Sequence, residues 1–460
     1  MNQYFAVLKR NQVLFPASAA EFSANLFALK EELKALLADN PEAKDKYTQV
    51  AIEVAIDLQS AIADWVLVKL IDDETRVAAS EELLKFAADE GASEEALAEA
   101  RKEIAAIAES ATKKMCDAYR EGKLNTVWGH DYTSGLEHSM RRGARWVTTN
   151  PCKITGFKKD YPEHYAALIA EVKRENPGAE PSVLAAQIFT KICAMNARAM
   201  RPIYKVTNRE YGFVCMQVDP RNIKDTQAMI DQVRFWQKAM AKELNTDDPN
   251  VVYKLPAVAA AKPAAKVLLE EGYKLCMTLN FSITQHAEFA EILCKGGTSE
   301  YLVEMAGQLD DKIANELAAM GYEDAKVIAR HGSEAVMRKS YKMLRDKGYK
   351  NISIMSAAVR GPWHIQNSMA PVDGPAFLIT TVNGKINEFD ANPTPLKSVI
   401  DEPVEEKYLE VLNKSKVFRQ AICDPEEGLL KEEDLYEFPP FAGFLSDFVN
   451  AYQEVEDDCR

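Results

Sequence analysis

The sequence predicts a (β/α)8 barrel, a TIM barrel, preceded by an all-helical extension. Three observations carry that prediction. From Leu124 onward eight short apolar runs alternate with amphipathic segments, and strand followed by helix, repeated eight times, closes a parallel sheet on itself. Ahead of them the first 122 or so residues read as helix almost throughout. No glycine-rich phosphate loop follows the first run, which leaves the alternative, a doubly wound open sheet, without its fingerprint. The expected organisation is a helical extension over 1–122, a barrel over 123–398, and a C-terminal helical segment over 399–460 that packs on the barrel.

The extension is justified by period and punctuation. Ser18 and Glu21 have capping-box spacing, and Leu26, Leu29, Leu33, Leu36 and Leu37 follow at helical spacing until Asn40-Pro41 stops the run. A helix over about 47–71 is apolar on much of its circumference, which predicts burial between neighbours. Further amphipathic runs cover 78–88 and 93–121. The expected strands are 126–129, 146–148, 213–218, 251–255, 275–279, 301–306, 352–357 and 376–380. Beyond about Ser398 the chain is polar and helical, ending in an aromatic segment, 436–448, expected to pack on the barrel.

Composition excludes several classes. Lys+Arg 56 against Asp+Glu 70 gives a net charge of −14, which makes a nucleic-acid partner the wrong expectation. The 8 cysteines form no CxxC pair and no ligand cluster with histidine, so they read as reduced thiols rather than a disulfide frame or a metal site. No stretch approaches 18 uncharged apolar residues and the N-terminus lacks the apolar core of a secretion signal, so the expectation is a cytoplasmic protein without a membrane partner.

In a barrel, chemistry belongs at the C-terminal ends of the strands. Reading them off gives Asp131 after the first strand, Thr149 and Asn150 after the second, Gln217 on the third, Lys254 on the fourth, Thr278 on the fifth, and Arg360 after the seventh. Burial disfavours the charged form of an amine, and a neutral amine is a nucleophile toward ketones and aldehydes. An amine, a carboxylate, neutral hydrogen-bonding groups and a guanidinium form a sensible set for an aldolase of the Schiff-base type. Each residue also has a plain structural reading. Lys254 can snorkel from a strand end, Asp131 can cap the following helix, Thr149-Asn150-Pro151 can be a turn, Gln217 and Thr278 can be satisfied core groups, and Arg360 can be salt-bridged at the surface.

Those residues carry a family resemblance. Trp146-Val-Thr-Thr-Asn-Pro151 resembles the second-strand motif of the transaldolases, and Tyr253-Lys-Leu-Pro-Ala257 with Leu275-Cys-Met-Thr-Leu-Asn-Phe-Ser282 resembles the family's Schiff-base strand and its successor. Val218-Asp-Pro-Arg221 and Ile354-Met-Ser-Ala-Ala-Val-Arg360 are similar to the third- and seventh-strand motifs, and the five motifs keep the family's order over roughly 126–390. The resemblance implies no metal or organic cofactor, a sugar-phosphate substrate, and movement of a dihydroxyacetone unit from a ketose phosphate. It places the Schiff-base amine on Lys254, the acid/base on Asp131, a substrate hydroxyl contact on Asn150, the water-orienting hydroxyl on Thr278 and a phosphate contact on Arg360. Lys254, Asp131, Gln217 and Thr278 form the expected catalytic set; Asn150, Thr149, Cys276 and Arg360 form the expected substrate-binding set.

The chain also departs from the family. Gln217 stands where transaldolases carry a glutamate that works through a water; an amide positions that water but does not take its proton. Related fructose-6-phosphate aldolases carry glutamine there, so the change leans toward simple aldol cleavage. Cys276 replaces an asparagine, and Val303-Glu-Met-Ala-Gly-Gln308 lacks the second phosphate-binding cation, which weakens phosphate binding by about 1.5–3 kcal/mol relative to a pair of cations. These departures motivate a competing expectation, a catalytically impaired barrel that serves as a sugar-phosphate-binding or structural protein. The extension is the expected surface of any homo-oligomer.

Overall fold

In a computed structural model that describes residues 3–297 and 299–460, helices α1 (Gln3–Leu14), α2 (Ala19–Asp39), α3 (Lys44–Leu58), α4 (Ala61–Val66), α5 (Asp73–Asp89), α6 (Glu94–Glu109) and α7 (Ala111–Arg120) precede the first strand. Ser18 caps α2 by accepting from the Glu21 N–H at 3.2 Å, but the Glu21 carboxylate accepts from Ala17 N at 2.7 Å and not from Ser18, so only half of the expected box closes. The helix expected over 47–71 is broken. Ser60 donates to the Asp57 carbonyl at 2.8 Å and accepts from Ile62 N at 3.3 Å, ending α3 and starting α4 with one hydroxyl. The run 93–121 likewise divides at Ser110, which caps α7 and, with Thr112, hydrogen-bonds Asp390 of the barrel. The extension is pinned to the barrel a second time where the Arg145 guanidinium lies 3.6 Å from the Trp65 ring centroid and 4.4 Å from that of Tyr119.

The barrel strands are β1 (Thr126–His130), β2 (Trp146–Val147), β3 (Phe213–Gln217), β4 (Val251–Pro256), β5 (Leu275–Thr278), β6 (Glu300–Glu304), β7 (Ile352–Ser356) and β8 (Phe377–Thr381). They close in sequence order, all parallel, with β8 paired to β1, so the expected fold class holds. After β1 comes α8 (Leu136–Arg141). After β2 come α9 (Pro151–Asp160), α10 (Pro162–Glu175) and α11 (Pro181–Val206), then α12 (Thr226–Leu244), α13 (Ala261–Glu270) and α14 (Ile283–Leu293) after β3, β4 and β5. Helices α15 (Ala306–Ala319) and α16 (Ala325–Asp346) follow β6, α17 (Pro362–Gln366) follows β7, and α18 (Asn383–Ala391) follows β8. The strands are buried along their length on both faces, which is why they read in the sequence as near-continuous apolar runs.

The chain ends with α19 (Glu406–Leu412), α20 (Lys416–Ile422) and α21 (Pro439–Asp458). Helix α21 continues ten residues past the expected aromatic segment and lies across the C-terminal mouth of the barrel. Its first turns pack on α15, behind β6. Further along, Cys152 of α9 approaches the Asp447 carbonyl at 3.7 Å and Lys158 pairs with Asp458 at 2.7 Å, behind β2. Phe438, just before the helix, packs edge-on against Phe281. No helix among the described residues is long and apolar enough to cross a membrane. The cysteines are unpaired.

Behind β6 the barrel wall holds a buried acid. Glu304 is 0% exposed, neither of its carboxyl oxygens has a hydrogen-bond partner, and the nearest basic group is His286 Nε2 at 3.6 Å. Burial, reinforced by the nearby Asp310, pushes Glu304 well above the usual carboxylate range, and burial pushes His286 down to about 4, so burial favours the neutral form of each. The signs oppose. A raised folded-state pKa at Glu304 stabilises below its unfolded value near 4.3 and is lost as pH rises, whereas a depressed one at His286 stabilises above about 6.5 and is lost as pH falls. Glu304→Gln, isosteric with the protonated acid, is expected to melt with the wild type at pH 4 and above it at pH 8; parallel melting curves across that range would refute the neutral carboxyl.

Candidate active site

The barrel interior is defined by one contact. The rings of Trp146 on β2 and Tyr301 on β6 lie 4.4 Å apart, and strands four places apart meet only across the interior. Residues alternate along a strand and register partners share a face. Trp146 pairs with Phe213, so Gln217, four residues on, points inward; Gln217 pairs with Lys254, and Lys254 with Cys276. Cys276 in turn pairs with Tyr301, which closes the circuit consistently. Pro256 pairs with Thr278, placing that threonine on the same face one step nearer the mouth.

Alternation also separates His130 from Asp131. An added Cβ at Gly129 would lie 2.6 Å from Trp146 Cβ, so position 129 faces inward and has no room for a side chain. Asp131 then faces inward and His130 outward. His130 is held there by the Ser139 hydroxyl and the Ser134 carbonyl, each at 2.7 Å, and burial pushes it down to about 4. The buried Asp131 carboxylate pairs with Lys153 Nζ at 3.3 Å.

Lys254 is the centre of this arrangement. It is 1% exposed and has no hydrogen-bond or ion-pair partner among the described residues. Its flanking inward neighbours are neutral: Gln217, whose Oε1 is buried without a partner, and Cys276, whose thiol burial pushes well above its ordinary value. The Cys215 thiol, two residues before Gln217, is pushed up by burial and drawn back by the nearby charges of Lys254. Thr278 is fully buried with only the Met305 thioether, 3.8 Å away, as acceptor. Asn150 caps α9, its Oδ1 accepting from Lys153 N at 3.1 Å, which leaves its amide N–H groups for another partner.

Two expected residues are placed elsewhere. Thr149 is one residue out of phase with the inward face: its hydroxyl donates to the Cys215 carbonyl and lies 3.5 Å from Cys193 Sγ on α11, outside the barrel. Arg360 sits on the rim, and its guanidinium is shared between Asp311 Oδ2, at 3.1 and 2.9 Å, and the Ala358 carbonyl at 2.9 Å. The loop under it is held by His364, which accepts from Arg360 N at 3.0 Å and contacts Asp310 Oδ2 at 2.8 Å. Conversely, the structure adds Lys153, Thr148 and Asn280. Thr148 Oγ1 and both amide atoms of Asn280 are buried without partners. The strand-end rule that selects Thr278 selects Asn280 as well, and the alternation that places Trp146 inward selects Thr148; Lys153 on α9 had no such signal.

Fold and site together define a (β/α)8 barrel with a sequestered, unpaired amine on its fourth strand. The family model for transaldolase/fructose-6-phosphate aldolase matches residues 135–426, and the chain belongs to that family. The match begins after Asp131, so that residue's placement rests on strand geometry alone. Among curated relatives, transaldolase 1 of Streptomyces avermitilis is 28% identical over 212 residues, covering 42% of this chain and 52% of the relative. The transaldolase of Mycobacterium leprae is 28% identical over 210 residues, covering 42% and 53%. That of Mycobacterium ulcerans is 25% identical over 239 residues, covering 47% and 60%. The chain spans about half the length of the curated relatives it matches.

Proposed function

We propose that the chain is a Schiff-base enzyme that takes a dihydroxyacetone unit from a ketose phosphate and either passes it to an aldehyde or releases it. The observation that carries this reading is Lys254, a buried amine that no side chain occupies, on the same inward face as Asp131, Gln217 and Thr278. The amine adds to the ketone carbonyl, the carbinolamine loses water, and the resulting iminium accepts the electron pair of the adjacent carbon–carbon bond as the aldehyde departs. Asp131 takes the proton from the hydroxyl on the departing carbon and returns one in the reverse direction. Gln217 and Thr278 position the water that enters and leaves at the imine, and Asn150 holds a hydroxyl of the three-carbon unit through its amide N–H. Cys276 packs beside the amine as a neutral wall of the three-carbon pocket. Thr149 holds β2 against β3 and acts through that backbone.

Arg360 binds the phosphate by exchanging Asp311 for it. This exchange makes Asp311 a competitor, so Asp311→Asn is expected to lower KM for a phosphorylated ketose several-fold, and Arg360→Ala to raise it by roughly 10–100-fold, with smaller changes in kcat. The test is initial-rate kinetics on fructose 6-phosphate beside fructose, because the non-phosphorylated sugar should be indifferent to both changes. Equal effects on the two sugars would take Arg360 out of phosphate recognition. The pairing of Arg360 with Asp311 also favours a second reading, a barrel that binds sugar phosphate weakly without turning it over; absence of aldehyde release from every ketose phosphate tried would select it.

A further inference from the structure

Two amines, Lys153 and Lys254, share the barrel interior with one inward-facing carboxylate, Asp131. The carboxylate pairs with Lys153 Nζ at 3.3 Å and not with Lys254, which has no ion pair among the described residues. Both amines nevertheless lie in the same electrostatic neighbourhood. Burial pushes the Cys215 and Cys152 thiols up, Cys152 to about 11. Lys254 draws Cys215 back while Asp131 adds to its rise, and Lys153 and Lys254 both draw Cys152 back against Asp447 of α21. The groups directly beside Lys254 on the inward face, Gln217 and Cys276, are neutral. The backbone builds in the pairing of Asp131 with Lys153. Thr133 Oγ1, two residues past Asp131, donates to the Lys153 carbonyl at 2.7 Å, and Lys153 N donates to Asn150 Oδ1 at 3.1 Å. The first turn of α9 is thereby tied to the loop that carries the carboxylate.

Burial decides which amine is the counter-ion. A charge taken out of water loses hydration that a single ion pair offsets only in part. The Lys153 side chain remains 20% exposed, so its ammonium keeps part of its hydration, whereas an ammonium on the buried Lys254 would keep almost none. We propose that Lys153 is a positioning residue for the reaction: by holding Asp131 as its own counter-ion it denies that carboxylate to Lys254, which then attacks the ketone as the neutral amine. Without Lys153, the carboxylate left unpaired is available to Lys254, and an opposite charge favours the ammonium, which has no lone pair to add to a carbonyl. The inference rests on the Schiff-base reading and adds a residue to it: imine formation depends on Lys153, although no bond to Lys153 forms or breaks.

The test is borohydride trapping of fructose 6-phosphate on the full chain, read by mass spectrometry as the fraction of Lys254 carrying a reduced adduct, six-carbon or three-carbon. Lys153→Met is expected to lower trapping about tenfold at about pH 7 and to regain it at about pH 9.5, because raising the pH takes the proton from the ammonium. Lys153→Gln, which removes the charge but still donates to Asp131, is expected to behave as Lys153→Met does, and Lys153→Arg as the wild type does. The decisive variant combines Lys153→Met with Asp131→Asn. With the carboxylate gone, trapping is expected to return at about pH 7 although aldehyde release does not. A lysine that only supports the fold would not be rescued by removal of a second charge. Wild-type trapping by Lys153→Met at the lower pH, or a double variant that traps as poorly as Lys153→Met, would overturn the inference and leave the Schiff base standing; no adduct on the wild type would overturn both. Circular dichroism and melting verify that each variant is folded, and if Lys153→Met is not, Lys153→Gln takes its place in the single and the double variant.

Discussion

Lys254→Met is expected to lower aldehyde release from a ketose phosphate by about 10^4-fold or more, the scale on which loss of an activated nucleophile is felt, while leaving the barrel folded. Methionine keeps the length of the stem and removes the amine. Lys254 donates to no described residue, so its replacement strands no acceptor, and a buried group without a partner costs rather than contributes stability. The melting temperature should therefore hold or rise. Turnover at the wild-type rate would remove Lys254 from the chemistry, and a collapsed melting transition would mean that the amine has a structural partner. The two readouts separate a nucleophile from a prop.

Asp131→Asn is expected to cost about 10^2–10^4-fold in kcat, the usual worth of a general acid or base, with little change in KM. Asparagine preserves the shape and the inward direction set by Gly129 but takes no proton, and the loss should appear in the carbon–carbon cleavage step while imine formation at Lys254 survives. The substitution also releases Lys153 from its 3.3 Å pairing with Asp131, so Lys153→Met serves as the control. If Lys153→Met and Asp131→Asn lose activity equally, the ion pair and not the carboxylate matters. If His130→Gln proves the more damaging change, the alternation argument for β1 fails. Because the family match begins only at residue 135, this experiment is the independent check on the first strand.

The barrel is legible in the sequence because parallel strands buried on both faces leave short apolar runs, and each of the eight expected runs forms a strand whose ends shift by no more than two residues. The breaks at Ser60 and Ser110 are not legible, since serine inside a helical pattern declares itself a cap only when its partners are in place; for Ser110 that partner is Asp390, 280 residues away. The same division runs through the site. Lys254, Asp131, Gln217 and Thr278 follow from strand ends and alternation, which are local. Thr149 and Asn150 read alike in the sequence but point opposite ways, because β2 is only two residues long and offers no periodicity to set the phase. The pairing of Arg360 with Asp311, 49 residues apart, and the packing of α21 on both α15 and α9 are tertiary facts with no local sign.

The central claim is that Lys254 forms the imine. The most direct measurement is mass spectrometry after incubating the full chain with fructose 6-phosphate and reducing with borohydride. The account predicts a stable three-carbon adduct, located by peptide mapping on Lys254 and absent from Lys254→Met. An adduct on another lysine, or none from any ketose phosphate tried, would contradict it.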